Sequence, residues 1–275
     1  MKQLRLAVQE HLIPGAGLVE KFERITALGY DAIELRGRGD FAFRGRLDEL
    51  RRAARAGVVM PTVCPDMDHF IGDFDADRRR DAVANLKSQI SVIVAAGGFA
   101  AITPASWAMF SRRLPPFVPP RTPAQDREVL LAALHELGLH AQREGGRLLL
   151  EPINRYEDHM VNTLAQAVEL CDAVGLPSLG VVADAYHMNI EEDDPAAALV
   201  AAGHRLALVH MCDSGRQQVG TGHVDWPALL AALRRIGYDG YLTAEGTWRG
   251  DPDTAMRAAA TRVRTAWAEL NGATE

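Results

Sequence analysis

Cysteine is scarce in this 275-residue chain: Cys64, Cys171 and Cys212 are the full set. An odd, sparse set is no disulfide framework, so the fold has to be held by its own core, and a reducing compartment suits it. No Asn-x-Ser/Thr glycosylation acceptor occurs. No apolar run approaches the ~20 residues needed to cross a bilayer, and the N-terminal MKQLRLAVQEHLIPG has too short an apolar run for a signal peptide. A dominant charge is also missing: 30 Lys and Arg stand against 36 Asp and Glu, a formal net charge of −6, with no clustered basic face. That speaks against nucleic acid or an anionic membrane as partner, since both are held by basic contacts that release counterions. A cytoplasmic protein is expected.

What the chain does have is 48% apolar residues, enough to bury a large core without staples. Its length is close to the ~250 residues of an eightfold β/α barrel. Short runs rich in Val, Ile and Leu alternate with amphipathic stretches of helix length. Strands are expected over 4–9, 31–35, 58–64, 99–105, 147–153, 179–185, 206–212 and 240–246. Helices are expected over 17–28, 46–56, 77–96, 123–144, 163–174, 194–202, 226–236 and 253–270. Caps at Asp77, Thr122 before Pro123, Asn162 and Asp225 announce several of them, and a glycine such as Gly145 ends most. The strands are nearly continuous apolar runs, as parallel strands covered on both faces are. Eight βα units without a shift in composition predict one α/β domain over 1–275, a closed (β/α)8 TIM barrel and not an open doubly wound sheet. The Pro-rich LPPFVPPRTP, 114–123, follows strand four and reads as a loop at the barrel mouth.

In such barrels the chemistry gathers at the C-terminal strand ends, where eight loops converge. Those ends carry Glu34, Glu151, Asp184, His210 and Glu245, the last four from consecutive strands. In RLLLEPINRYEDH, 147–159, Glu151 directly follows Leu148, Leu149 and Leu150. A carboxylate ending a buried strand is costly unless it is paired, hydrogen-bonded or bound to a cation. Two glutamates, one aspartate and one histidine around a point suit one divalent cation of the Mn, Mg or Co kind, with Zn left open. Without it, three close carboxylates would repel and be driven to protonate. A lone strand-end carboxylate is often a rim ion pair or a helix cap; four in register ask for more. Glu34 stands between a structural hydrogen-bond role and the site. Cys64 and Cys212 read as small core residues, His69, His135, His140 and His204 as surface or helix-face residues, and Arg112 and Arg113 as solvated.

The motifs EPINRYE (151–157), DAYHMNIEE (184–192), HMCDSGR (210–216), GTGHVDW (220–226) and IGYDGYLTAE (236–245) resemble segments of the ketose 3-epimerases in order and spacing. These D-tagatose and D-psicose 3-epimerases belong to the xylose-isomerase-like TIM barrel sugar isomerase/epimerase superfamily. The resemblance implies that Glu151, Asp184, His210 and Glu245 bind one divalent metal, usually manganese, magnesium or cobalt. It also implies that Glu157, His187 and Arg216 hydrogen-bond a ketose near O1 to O3, and that the protein is a homodimer or homotetramer. Epimerising a carbon beside a ketone means removing its proton to give an enediolate and returning a proton from the opposite face. Two bases are needed, and Glu151 and Glu245 come from strands that can flank a substrate. The expected function is metal-dependent 3-epimerisation of a free ketose.

Hydroxypyruvate isomerase, inosose dehydratase, dehydroshikimate dehydratase and sugar-phosphate isomerases are alternatives on the same barrel. An endonuclease IV-like nuclease would need many more strand-end histidines and a basic surface, and a non-catalytic binding subunit would not keep two bases. Departures lie at the far end of the substrate. Strand one ends VQEHLIPG without the family's aromatics, strand two ELRGRGDF, strand three VCPDMDHF and strand eight EGTWRG. Arg36, Arg38 and Arg249 there could receive a phosphate or carboxylate.

Overall fold

The alternating runs become eight parallel strands that pair in chain order and close, β1 meeting both β2 and β8. The computed structural model describes residues 4–109 and 118–272. The strands are β1 (Arg5–Gln9), β2 (Ala32–Arg38), β3 (Thr62–Asp66), β4 (Ala100–Pro104), β5 (Arg147–Glu151), β6 (Leu179–Asp184), β7 (Leu206–Met211) and β8 (Tyr241–Ala244). The helices are α1 (Leu18–Ala27), α2 (Leu47–Arg55), α3 (Ala76–Ala95), α4 (Pro123–Glu144), α5 (Leu164–Val174), α6 (Ala185–Glu191), α7 (Pro195–Ala202), α8 (Trp226–Arg235) and α9 (Pro252–Gly272).

The period of two along each strand sorts side chains between two cores. Leu6, Val8, Ile33, Val63, Leu148, Leu150, Val181 and Val209 face the helices and join the large outer core. Their alternates Ala7, Ala32, Ala100, Ile102, Leu149, Val182, Leu208 and Tyr241 form a separate cluster that fills the barrel. Continuing that inward row to the C-terminal ends brings Gln9, Glu34, Cys64, Glu151, Asp184 and His210 to the top. The barrel interior is therefore apolar below and ionisable above, set by alternation alone. The C-terminal helix seals the ring: Arg264 of α9 bonds the Gly29 carbonyl and the Asp31 carboxylate before β2. No described helix is long and apolar enough to cross a membrane.

Several boundaries differ from expectation. β2 runs on to Arg38, so Arg36 and Arg38 sit on a strand and not in a loop. β3 begins only at Thr62, after Pro61, which has no N–H for a ladder. β8 stops at Ala244, leaving Glu245 just beyond it, ahead of Gly246 at φ 113°. Two caps are displaced. Asp75, not Asp77, caps α3 by accepting from the Asp77 and Arg78 N–H groups, and Thr163, not Asn162, caps α5 in a reciprocal box with Gln166. Helix α6 was not anticipated. Residues 110–117, with Arg112 and Arg113 and part of the Pro-rich insert, lie outside the described residues.

Candidate active site

The strand ends of β5 to β8 bring Glu151, Asp184, His210 and Glu245 to one point, each offering a ligand atom within 4.8 Å of the others. The Nδ1 of His210 lies 2.6 Å from Glu245 Oε2, 3.0 Å from Glu151 Oε1 and 3.9 Å from Asp184 Oδ2. Asp184 and His210 are fully buried and Glu151 nearly so. Asp184 divides its labour. Its Oδ1 accepts the N–H groups of Tyr186 and His187 and caps α6, while Oδ2 is buried with no donor. Three carboxyl groups and an imidazole at this spacing, with an orphaned carboxyl oxygen among them, fit one divalent cation.

Glu34 supports this cluster from behind. Fully buried, it accepts from Gln9 Nε2 at 3.0 Å, Thr62 Oγ1 at 2.7 Å and His210 Nε2 at 3.0 Å. A proton held on Nε2 by Glu34 leaves Nδ1 as the lone-pair donor toward the other three residues, the usual carboxylate–histidine arrangement behind a ligand. Glu34→Gln is expected to lower divalent-metal affinity by about 10- to 100-fold, read by chelator competition. Unchanged affinity would reduce Glu34 to a packing role.

Electrostatics separate the two glutamates. Burial pushes Glu151 above the ordinary carboxylate range despite His210. Burial would raise Glu245 too, but His210 and Arg216 outweigh it and hold Glu245 well below that range. Burial alone would lower His210, yet Glu245, Glu34 and Glu151 drive it well above the usual histidine value. Without a cation, these carboxylates therefore favour the protonated His210 ring. A metal must displace the Nδ1 proton, so affinity should climb with pH until the raised His210 value is passed. Calorimetric titrations in buffers of different ionisation enthalpy should show about one proton released per ion near pH 7; none released would contradict this charge state.

The expected substrate contacts form one wall. His187 stands not on a loop but on α6, 2% exposed yet lining the cavity. The backbone N–H of Asn154 donates to its Nδ1 at 3.1 Å, which makes Nδ1 the acceptor and leaves the ring proton on Nε2. That Nε2 faces Arg216 Nη1 at 3.0 Å, so two donors converge where an acceptor oxygen would satisfy both. Arg216 also bonds Glu245 Oε1 at 3.1 Å and lies over the Tyr186 ring at 4.9 Å. It sits at φ 52° in the loop after β7. Asp213 holds that loop by accepting the N–H groups of Ser214, Gly220 and Val224. Glu157 is held by Trp107 Nε1 at 3.0 Å and Asn154 Nδ2 at 2.9 Å. Asp158, without an evident role in the sequence, organises the loop after β5: it accepts from Ser106 Oγ and from the N–H groups of His159, Met160 and Val161.

A cavity of about 290 Å³ opens above the cluster, lined by Glu151, Glu157, His187, Arg216 and Glu245 on one side. The other side is formed by Gln9, His11, Arg36, Cys64 and Asp66, with Trp107 and Phe70 between. Cys64 packs against the inner core cluster, as expected, and also lines the floor of the cavity. Cys212 is fully buried, its thiol 3.8 Å from Asp184 Oδ1. Arg38 and Arg249 are exposed outside the cavity lining.

The family model for the xylose isomerase-like TIM barrel matches residues 22–266. This chain belongs to that family. Among curated relatives of this xylose isomerase-like barrel, the 3-dehydro-D-guloside 4-epimerase of Escherichia coli is 35% identical over 264 residues, covering 95% of this chain and 100% of the relative. The crystal structure of the E. coli 3-keto-D-glucoside 4-epimerase superimposes with a TM-score of 0.90 at 35% identity, covering 96% of this chain and all of that one. The L-ribulose 3-epimerase of a Methylomonas species is 40% identical, but over 121 residues, 44% of this chain and 42% of the relative. A Methylomonas D-allulose 3-epimerase structure shares the fold at TM-score 0.81 and 23% identity, over 97% of this chain and 98% of that one.

Proposed function

We propose that this enzyme inverts a sugar carbon beside a ketone by moving a proton between Glu151 and Glu245, using one divalent ion, and that its substrate is a 3-keto glycoside inverted at C4. That it is an enzyme acting on carbohydrates follows from its family and from relatives that are named sugar epimerases. The carrying observation is the pair of glutamates from β5 and the end of β8 brought onto one buried cluster with Asp184 and His210. Two carboxyl groups that flank one reacting carbon can serve as acid and base in turn. A cation held by Glu151, Asp184, His210 and Glu245 would polarise the ketone and share the charge developing on its oxygen.

Glu245, ion-paired with Arg216, takes the proton from the carbon next to the carbonyl, and the bonding pair moves into the enediolate. Glu151, starting protonated, returns a proton to the opposite face, which inverts the centre and exchanges the roles of the two residues. His187 Nε2–H and Arg216 together hold a substrate oxygen, and Glu157 accepts from a hydroxyl. The 4-epimerase assignment leans on a relative similar along its whole length. Inversion of a free ketose at C3 is the second reading, favoured by stretches 36–40% identical to 3-epimerases over shorter spans.

The experiment is hydrogen exchange. Metal-loaded protein in deuterated water, given 3-keto-glucoside, free ketoses and ketose phosphates, should lose one C–H signal in the NMR spectrum. Loss at C4 of the keto-glucoside supports the first reading and loss at C3 of a ketose the second. Exchange in none of them would overturn the proton-transfer mechanism.

A further inference from the structure

We propose that Arg36 and Asp66, closed on each other across the cavity mouth from Arg216, are a specificity subsite that reads sugar hydroxyls and rejects phosphorylated or acidic sugars. The inference rests on the epimerase reading above and adds the substrate's charge. Arg36 stands two residues beyond Glu34 on β2, and Asp66 two residues beyond Cys64 on β3. At the rise of a strand this puts the pair about 7 Å above the inward row that carries Glu34 and Cys64, as the next layer of the wall. The parallel register sets Arg36 beside Cys64 and Arg38 beside Asp66, so the Arg36 side chain reaches one step along the neighbouring strand.

The contact is a fork: Nη2 to Oδ1 at 3.0 Å and Nε to Oδ2 at 2.8 Å. Holding Asp66 occupies two of the five guanidinium N–H bonds and one lone pair on each carboxylate oxygen, so donors and acceptors remain. Adjacent hydroxyls need such a set, since each both donates and accepts. Both side chains line the cavity and are partly exposed, at 45% and 35%.

The charge is already spent. Asp66 is held below the usual carboxylate range first by its hydrogen bond to Arg36, so the pair is ionised and sums to zero. The adjacent Glu10 gives both oxygens to Arg46, at 2.7 and 2.8 Å, and also accepts the Arg36 backbone N–H. His11 is kept below the ordinary histidine range by burial and by Arg36. Among the residues that line this side of the cavity, no arginine or lysine is left unpaired for a phosphate; Arg38, beside Asp66 in the register, lies outside the lining. An anion entering there would meet Asp66 at close range, with the carboxylates of the cluster beneath.

The decisive variant is Asp66→Asn, which keeps size and an acceptor oxygen but frees the Arg36 charge. Wild type should exchange 3-keto-glucoside or D-fructose and largely ignore the 6-phosphate of whichever sugar it exchanges. Asp66→Asn should raise kcat/KM for that phosphate relative to its uncharged parent sugar by about tenfold or more, through KM, the scale of one charge-assisted hydrogen bond. Arg36→Gln should raise KM for the uncharged sugar with a smaller change in kcat. The double variant Arg36→Gln/Asp66→Asn, neutral again, should recover the bias against phosphate. A half-exposed ion pair contributes little to folding, so melting curves should match wild type. Normal exchange by wild type with the same phosphate-to-free ratio in Asp66→Asn overturns the subsite alone. No exchange by wild type with any of these sugars overturns the epimerase reading, and the subsite with it.

Discussion

Glu151→Gln is expected to cut epimerisation by roughly 10²- to 10⁴-fold while leaving the barrel folded, the range for losing a positioned acid or base. The amide fills the same 5%-exposed place at the end of β5 and still offers an oxygen toward the cluster, but it cannot carry a proton. With metal at saturation, the loss should fall on kcat. Glu245→Gln should lose as much and also raise KM, because Arg216 Nη2 gives up its anionic partner at 3.1 Å. A two-base mechanism makes a sharper demand. In Glu151→Gln, Glu245 can still remove the proton that faces it, so one epimer should keep exchanging deuterium while its conversion to the other stops. Glu245→Gln should show the converse, with exchange surviving on the opposite epimer. Equal loss of exchange on both epimers in both variants would point to a single base.

The strand-end residues were legible because alternation is local. Once Leu149 is known to point inward, Glu151 must follow it, and the same step gives Glu34 from Ala32, Asp184 from Val182 and His210 from Leu208. What stayed hidden depends on closure. Glu34 was ambiguous because its partner His210 is 176 positions away, and only a closed barrel brings β2 to face β7 across the interior. The Arg36–Asp66 pair needed the register between β2 and β3, which no pattern within either strand contains; alone, Arg36 read as a free cation for a phosphate. Cys64 reads as core and does pack against the inner cluster; its second place, in the cavity lining, depends on β3 continuing to Asp66. The contacts of Asn154 with His187 are made through space between the β5 and β6 loops. Helix α6 escaped because seven residues make barely two turns, too short for a helical period to show.

That short helix leads to the other large expected effect. Asp184 has two duties on two oxygens, and substitutions can part them. Asp184→Ser should keep the cap, since a serine hydroxyl accepts from the same N–H groups at a helix start, but it removes the buried anionic oxygen from the cluster. Divalent-metal affinity should fall by more than about 100-fold, because losing a ligand must cost at least as much as disturbing the residues behind one. Epimerisation should fall with it. Asp184→Ala should lose the same affinity and in addition about 1 kcal/mol of stability, the usual worth of an N-cap side chain. His187 follows from this, since its own N–H is one of the two capped groups and its ring is aimed by α6. A melting temperature lower in Ala than in Ser, at equal loss of metal, would separate cap from ligand. If Asp184→Ser instead kept wild-type metal affinity, Oδ2 would not be a ligand, and the cluster would have to be read as Glu151, His210 and Glu245 alone.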